Sequence, residues 1–184
     1  ITKVNMIFMS FVIGISQGIQ PIIGFNYGAA KYTRVRKTYL LALATATALS
    51  FVAFGCFQLF PRQIISVFGK GSELYFQFSE RYFRIYMFLT LINGIQPVTS
   101  NFFNSIGKSS LGVFMSLTRQ ILFLLPLIIV FPIFMGIDGV MYAGPIADAA
   151  TGIVCGIFTI RELKELKTLS YTSENAAAAS GSAN

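Results

Sequence analysis

Two charged residues, Arg119 and Asp148, each lie alone inside a long apolar stretch of the sequence. If these stretches are consecutive membrane helices, each charge must face a partner or water, because an unpaired charge in hydrocarbon is costly. Arg119 is 17 residues before Gly136 and Asp148 is 12 after it, so their depths differ by about 7 Å at about 1.5 Å per residue. An extended arginine covers most of that distance. We therefore predict a structural ion pair, with a protonation or cation site at Asp148 as the alternative.

Neutral amide side chains lie inside two other apolar stretches, in each case close to a proline. The tetrapeptide Gly-Ile-Gln-Pro occurs in both, at residues 18–21 and 94–97. Proline leaves a backbone carbonyl one turn earlier without its donor, so a side chain or water must satisfy it. Such groups predict either a wet cavity or hydrogen bonds that only hold helices together. The candidate pathway residues are Gln17, Gln20, Asn93, Gln96, Asn101, Asn104 and Asp148, and the predicted helix bends are Pro21, Pro97 and Pro145.

Several classes of chemistry are excluded by what the chain lacks. It has no histidine, which removes the commonest metal ligand and proton carrier. Cys56 and Cys155 are isolated in apolar runs and predict buried apolar side chains without metal or redox spacing. No nucleophile–base pair, paired carboxylates or phosphate-binding loop is present. We therefore expect no enzyme activity, no metal, and no cofactor.

The composition predicts an all-α, polytopic membrane helix bundle. The chain of 184 residues is 54% hydrophobic and 11% charged, whereas a soluble domain has roughly 25% charged residues. A bilayer core needs about 20 apolar helical residues, and five segments are long enough. These spans are residues 4–27, 38–60, 80–106, 110–134 and 139–160, which make residues 1–167 one transmembrane domain. Residues 168–184 are small and polar and predict a disordered tail or a vector-derived remnant.

The cations are divided unequally between the two ends of the predicted spans. Eight share one end: Lys31, Arg34, Arg36, Lys37, Lys108, Arg161, Lys164 and Lys167. Five share the other: Lys3, Arg62, Lys70, Arg81 and Arg84. Because cytoplasmic loops carry the excess of Lys and Arg, we place the C-terminus in the cytoplasm. The cations that give the net charge of +7 lie at the ends of apolar spans, where lipid headgroups can interact with them. We therefore expect the lipid bilayer, and no nucleic acid, as a partner.

Four segments of the chain resemble the multidrug and toxic compound extrusion (MATE) transporters. The longest is GISQGIQPIIGFNYGA at residues 14–29, which lies at the end of a charge-free run from Val4 to Ala30 and precedes the first basic cluster. The others are NFFNSIGK at 101–108, LTRQ at 117–120 with Pro126, and GIDGV at 136–140 with PIAD at 145–148. The resemblance covers roughly residues 4–167. It implies the last five of twelve helices, which is most of one six-helix lobe.

The resemblance implies part of a secondary-active efflux antiporter in the inner membrane. Such proteins export organic cations or amphipathic drugs in exchange for protons or sodium ions, and the missing partners would be the N-terminal lobe and the first helix of this lobe. In several members the coupling acids lie in the first helix of each lobe or in the helix that matches the third span here. That span has no carboxylate between Ile85 and Gly107, so the choice between H⁺ and Na⁺ stays open. The alternatives are a lipid-linked saccharide flippase of the same superfamily and a non-transporting membrane scaffold.

Overall fold

The computed structural model describes residues 2–68, 73–86 and 90–181, and within them it is helical with no strand. The all-α prediction is therefore confirmed. The α-helices in chain order are α1 (Thr2–Gly28), α2 (Tyr32–Leu59), α3 (Pro61–Phe68), α4 (Glu73–Tyr86), α5 (Thr90–Asn93), α6 (Ile95–Ser105), α7 (Ser109–Leu117), α8 (Leu125–Met135) and α9 (Ile137–Gly181). A π-helical segment, Thr118–Leu124, joins α7 to α8. Lys70 lies outside the described residues.

Four of the helical stretches are long and apolar enough to cross a membrane. They are Lys3–Gly28, Tyr32–Leu59, Ser109–Met135 and Asp138–Thr172, and they correspond to the first, second, fourth and fifth predicted spans. Their outward surfaces are apolar: Phe25 is 74% exposed and Phe134 is 81% exposed. In water such surfaces would favour aggregation, whereas the hydrocarbon core of a bilayer accommodates them.

The predicted third span, residues 80–106, differs from a single helix. Its helical structure begins earlier, at Glu73, and the described part is interrupted at Gly94, between α5 and α6. Pro97 explains the position of the break, because it has no N–H to donate to the carbonyl of Asn93 four residues earlier. The other two predicted bends behave differently. Pro21 and Pro145 lie inside the continuous helices α1 and α9.

The last helix is longer than predicted. We expected a disordered tail or a vector-derived remnant over residues 168–184, but α9 continues through Gly181 and is 45 residues long. At about 1.5 Å per residue that is about 68 Å, roughly twice the hydrocarbon thickness of a bilayer. The four alanines at 176–179 favour this continuation, because alanine has the highest helix propensity. Residues 168–181 are therefore helical rather than disordered, and residues 182–184 are outside the described part.

The core lies where α6 packs against α1, α2, α7 and α9. The ring of Tyr39 on α2 lies 4.3 Å from that of Phe102 on α6, measured between centroids. Val12 and Ile23 of α1 are fully buried in the same cluster, as is Met115 of α7. The interrupted third span is therefore central in the bundle, and α6 packs against the three long helices α1, α2 and α9.

Contacts at the two ends of the bundle agree with the predicted alternation of the spans. Lys108, in the turn after α6, lies 2.8 Å from Glu162 and 3.2 Å from Glu165 on α9. The turn and the distal part of α9 therefore share one end, as predicted for Lys108 and Lys164. At the other end, Tyr82 of α4 donates a hydrogen bond to Asp138 at the start of α9.

Candidate functional site: a neutral polar cavity and a separate ion pair

A cavity of about 460 Å³ lies between α1, α6 and α7. Its polar lining is neutral and consists of amides and hydroxyls: Gln96, Ser100, Asn101, Asn104 and Ser116. Its apolar lining includes Ile13, Val113 and Leu117, which are 40%, 53% and 47% exposed. Because these lining residues are exposed, the cavity is open at the surface of this chain. Three of the predicted pathway amides, on α6, therefore share one wall of it.

Asn101 is the centre of a hydrogen-bond chain that joins α6 to α1. Its Oδ1 accepts a hydrogen bond from Gln20 Nε2 at 2.6 Å, and its Nδ2 donates to Ser16 Oγ at 2.8 Å. Ser16 Oγ in turn donates to the carbonyl of Ile13 at 2.9 Å. Both ends of the Asn101 amide are thus engaged, which fixes its orientation at the cavity wall. The structure brings together Gln20 and Asn101, which are 81 residues apart in sequence.

The opposite wall depends on a close approach of α6 and α7 at Gly112. Ser100 Oγ donates to the Gly112 carbonyl at 2.7 Å. A Cβ atom at Gly112 would lie 2.8 Å from the Ser100 carbonyl oxygen and would overlap the Asn104 side chain. Real Cβ atoms do not approach backbone oxygen so closely, so only glycine permits this crossing. Asn104 itself is exposed and lines the cavity at this crossing.

Not every predicted pathway residue belongs to the cavity. Gln17 is exposed on α1, and neither it nor Pro21 is part of the lining. Pro97 is part of it, next to Gln96. Asn93 is buried and belongs to a different cluster with Asp148. Apart from Gln17, the predicted polar residues thus separate into two groups that the sequence did not distinguish.

The second group is a partly buried ion pair. Arg119 Nε donates to Asp148 Oδ1 at 2.5 Å, so the two charges that the sequence paired are in contact. The Asn93 side chain also hydrogen-bonds Asp148. The Asp148 side chain is 6% exposed and that of Arg119 is 24% exposed. Neither charge lines the cavity between α1, α6 and α7.

Irregular backbone positions two residues that contact Asp148, namely Arg119 and Asn93. Arg119 lies in the π-helical segment Thr118–Leu124, just before Pro126. Proline removes one donor and crowds the carbonyl four residues earlier, which a wider helical turn accommodates. Asn93 ends α5 at the break before Gly94. Such irregularities are tolerated at membrane depth only where protein or water satisfies the backbone.

A third polar cluster was not predicted from the sequence. The Tyr39 hydroxyl lies 3.0 Å from Thr99 Oγ1 and 3.0 Å from Thr159 Oγ1. All three residues are buried, and the contacts connect α2, α6 and α9. A tyrosine and two threonines at membrane depth are a weak sequence signal, because each hydroxyl can also bond to its own helix.

Helices of membrane length around a neutral polar cavity are typical of a membrane transporter. The model of the MatE family matches residues 1–136, and the chain therefore belongs to the MatE family of membrane transporters. No curated protein matches the chain.

Solved structures match both the sequence and the fold. The MATE multidrug transporter DinF-BH, solved as a complex, is 36% identical with a TM-score of 0.79, and the match covers 86% of this chain and 35% of that one. An outward-facing multidrug resistance MATE family transporter of the MOP superfamily is 18% identical with a TM-score of 0.82, over 90% and 37% of the chains. An inward-facing one is 16% identical with a TM-score of 0.81, over 90% and 39%. The chain thus spans 35–39% of the length of these structures.

Proposed function

We propose that this chain is most of the C-terminal lobe of a secondary-active multidrug efflux antiporter. The observation that carries the proposal is the cavity whose wall is formed by Gln96, Asn101 and Asn104. Its mixed lining suits an amphipathic solute, because apolar side chains take the body of the solute and amides take its polar groups. The similarity to DinF-BH, a multidrug transporter, supports the same substrate class.

The proposal includes a second lobe, which is outside this chain, and an orientation in the membrane. Alternating access requires two lobes that move around a central site, so the open side of the cavity is proposed to face a missing N-terminal lobe. The chain matches outward-facing and inward-facing structures with TM-scores of 0.82 and 0.81, which supports a lobe that moves as one body. We place the protein in the inner membrane with the C-terminus in the cytoplasm.

The coupling ion is proposed to be H⁺ or Na⁺, with its acidic site outside this cavity. The described lining contains no carboxylate, which supports placing the acid that binds the coupling ion elsewhere in the protein. We assign Asp148 to structure, because it is paired with Arg119 and lies away from the cavity lining.

The two alternatives are less well supported. A flippase for lipid-linked saccharides needs cations along the cavity, and the described lining has none. A scaffold without transport predicts no convergence of polar residues, whereas five polar side chains line one cavity here.

One pair of variants tests the role of the cavity. In cells that make the full-length transporter, Asn101→Leu should reduce efflux of ethidium by about ten-fold or more, because it leaves the Gln20 amide without its partner at a cost of about 1–3 kcal/mol and removes a polar group from the wall. Gln17→Leu removes an amide of α1 outside the cavity and should leave efflux within about two-fold, since exposed positions are usually neutral. Equal efflux in the two variants, at equal protein levels, contradicts the proposal.

A second experiment tests whether one lobe is sufficient. Cells that make only residues 1–184 should not export ethidium, because a single lobe cannot alternate its access. Export by this chain alone would show that the two-lobe proposal is wrong.

A further inference from the structure

A second cavity, of about 430 Å³, lies at the end of the bundle where α1 turns into α2. It is lined mainly by cations and hydroxyl groups: Lys31, Tyr32, Thr33, Arg34, Lys37 and Ser170. Four of these residues come from the start of α2, Lys31 is the residue directly before it, and Ser170 comes from the distal part of α9. Ser170 reaches this turn because α9 continues beyond the predicted span of residues 139–160.

The cations of this cavity have no ion-pair partner in the described part of the chain. Two carboxylates of this end, Glu162 and Glu165, both bind Lys108. Lys31, Arg34 and Lys37 are exposed and lie within seven residues of one another. Such a concentration of like charge raises the positive potential of the cavity and favours an anion in it.

The backbone at this turn adds to the same field. Lys31 is the N-cap of α2 and makes no side-chain capping hydrogen bond. The first N–H groups of a helix have no partner within the helix, and the N-terminal end carries a partial positive charge. These groups strengthen a site that the three side chains already define.

The same face of α2 changes from cationic to apolar within about one turn. Arg34, Lys37 and Leu41 are three, four and seven residues apart, which is the spacing of one helix face. Leu41 is 70% exposed and Leu40 is 40% exposed, and no charged residue follows Lys37 in α2. A ligand that fits this face has an anionic head and an apolar tail.

We propose that this cavity binds the phosphate headgroup of an anionic phospholipid, with its acyl chains along the Leu41 face of α2. Basic clusters next to membrane helices attract anionic lipids, and here the cluster lines a cavity of about 430 Å³. The apolar continuation favours a lipid over free phosphate, which would gain nothing from Leu41.

Lipid retention by the purified full-length transporter tests the assignment. Native mass spectrometry in detergent would titrate phosphatidylglycerol and phosphatidylcholine against wild type and the variant Lys31→Gln, Arg34→Gln, Lys37→Gln. Phosphatidylglycerol should bind the variant about 100-fold more weakly, because each basic residue near an anionic lipid contributes about five-fold. Phosphatidylcholine should bind wild type weakly and be little changed by the variant.

The matched control removes three cations from the same end of the bundle but outside the cavity. Arg161→Gln, Lys164→Gln, Lys167→Gln has the same loss of charge and should keep phosphatidylglycerol binding within about two-fold, since the cavity is intact. Equal weakening in both variants would show general surface attraction and overturn the site. Displacement of the lipid by millimolar inorganic phosphate would overturn the choice of a lipid. Lys37→Gln alone, which keeps the turn itself unchanged, should weaken binding by about five-fold, and unchanged binding there also counts against the proposal.

Discussion

Replacing either Arg119 or Asp148 alone with a neutral residue should destabilise the protein more than replacing both. Asp148→Asn leaves a guanidinium without its counter-ion, and Arg119→Gln leaves a carboxylate that is 6% exposed. The double variant leaves two neutral amide side chains that can hydrogen-bond each other. Because an uncompensated buried charge is the costly state, the double variant should recover much of the loss.

The exposures of the two side chains predict an order for the single variants. Breaking a buried pair costs about 3–5 kcal/mol, and Arg119→Gln should approach this range because Asp148 cannot reach water. Asp148→Asn should cost less, about 1–3 kcal/mol, because Arg119 keeps 24% of its side chain exposed and can turn its charged end outward. For a lobe of this size that unfolds as one unit, about 1 kcal/mol corresponds to about 2–4 °C in Tm. The expected losses are therefore roughly 6–20 °C for Arg119→Gln and 2–12 °C for Asp148→Asn.

Thermal unfolding of the full-length transporter in detergent measures the coupling between the two positions. The loss in the double variant should be smaller than the sum of the single losses. Strict additivity would refute the argument, because it would mean that the charges do not interact. If Asp148 instead carries the coupled proton, Asp148→Asn should leave the Tm nearly unchanged and abolish proton-driven efflux. Normal stability together with normal efflux in both single variants would contradict both roles.

Three further predictions concern packing, pH and orientation. Gly139→Ala should lower the Tm by about 4 °C or more, because its Cβ would lie 2.5 Å from the Phe131 backbone. Gly156→Ala on the same helix is the control and should leave the Tm unchanged, because its Cβ would have no neighbouring atom within 4 Å. Burial lowers the pKa of Lys108, but its hydrogen bonds to Glu162 and Glu165 outweigh burial and raise that pKa above its usual 10.5. The stabilisation of the folded state by protonated Lys108 is therefore present below pH 10.5 and lost as the pH rises through the folded-state pKa. The Tm difference between wild type and Lys108→Gln should therefore shrink at high pH. The exposed Lys164→Gln is the control. In a background with Cys56→Ser and Cys155→Ser, Arg62→Cys should react with an impermeant maleimide in whole cells, whereas Lys108→Cys and Lys164→Cys should not react. The reverse pattern would overturn the proposed orientation.

Residue types and their one-dimensional spacing determined the class of fold and the depth of the charges. Apolar runs of about 20 residues must be helices in a bilayer, since the backbone has no other donors there. The rise per residue placed Arg119 and Asp148 close in depth, and they are in contact. The same reasoning predicted that the Lys108 turn and the distal part of α9 share one end, as the ion pair with Glu162 shows.

Only the tertiary structure decided which polar residues belong together. Spacing along a helix gives the depth and face of a side chain, but the neighbour on that face depends on how the helices pack. Gln17 and Gln20 are three residues apart, and only Gln20 reaches Asn101. Asn93 and Gln96 are also three residues apart. Because the helix is interrupted at Gly94, Asn93 contacts Asp148 whereas Gln96 lines the cavity. The crossing at Gly112 and the cluster of Tyr39, Thr99 and Thr159 depend on contacts between distant segments, which no local pattern specifies because side-chain packing in three dimensions determines them.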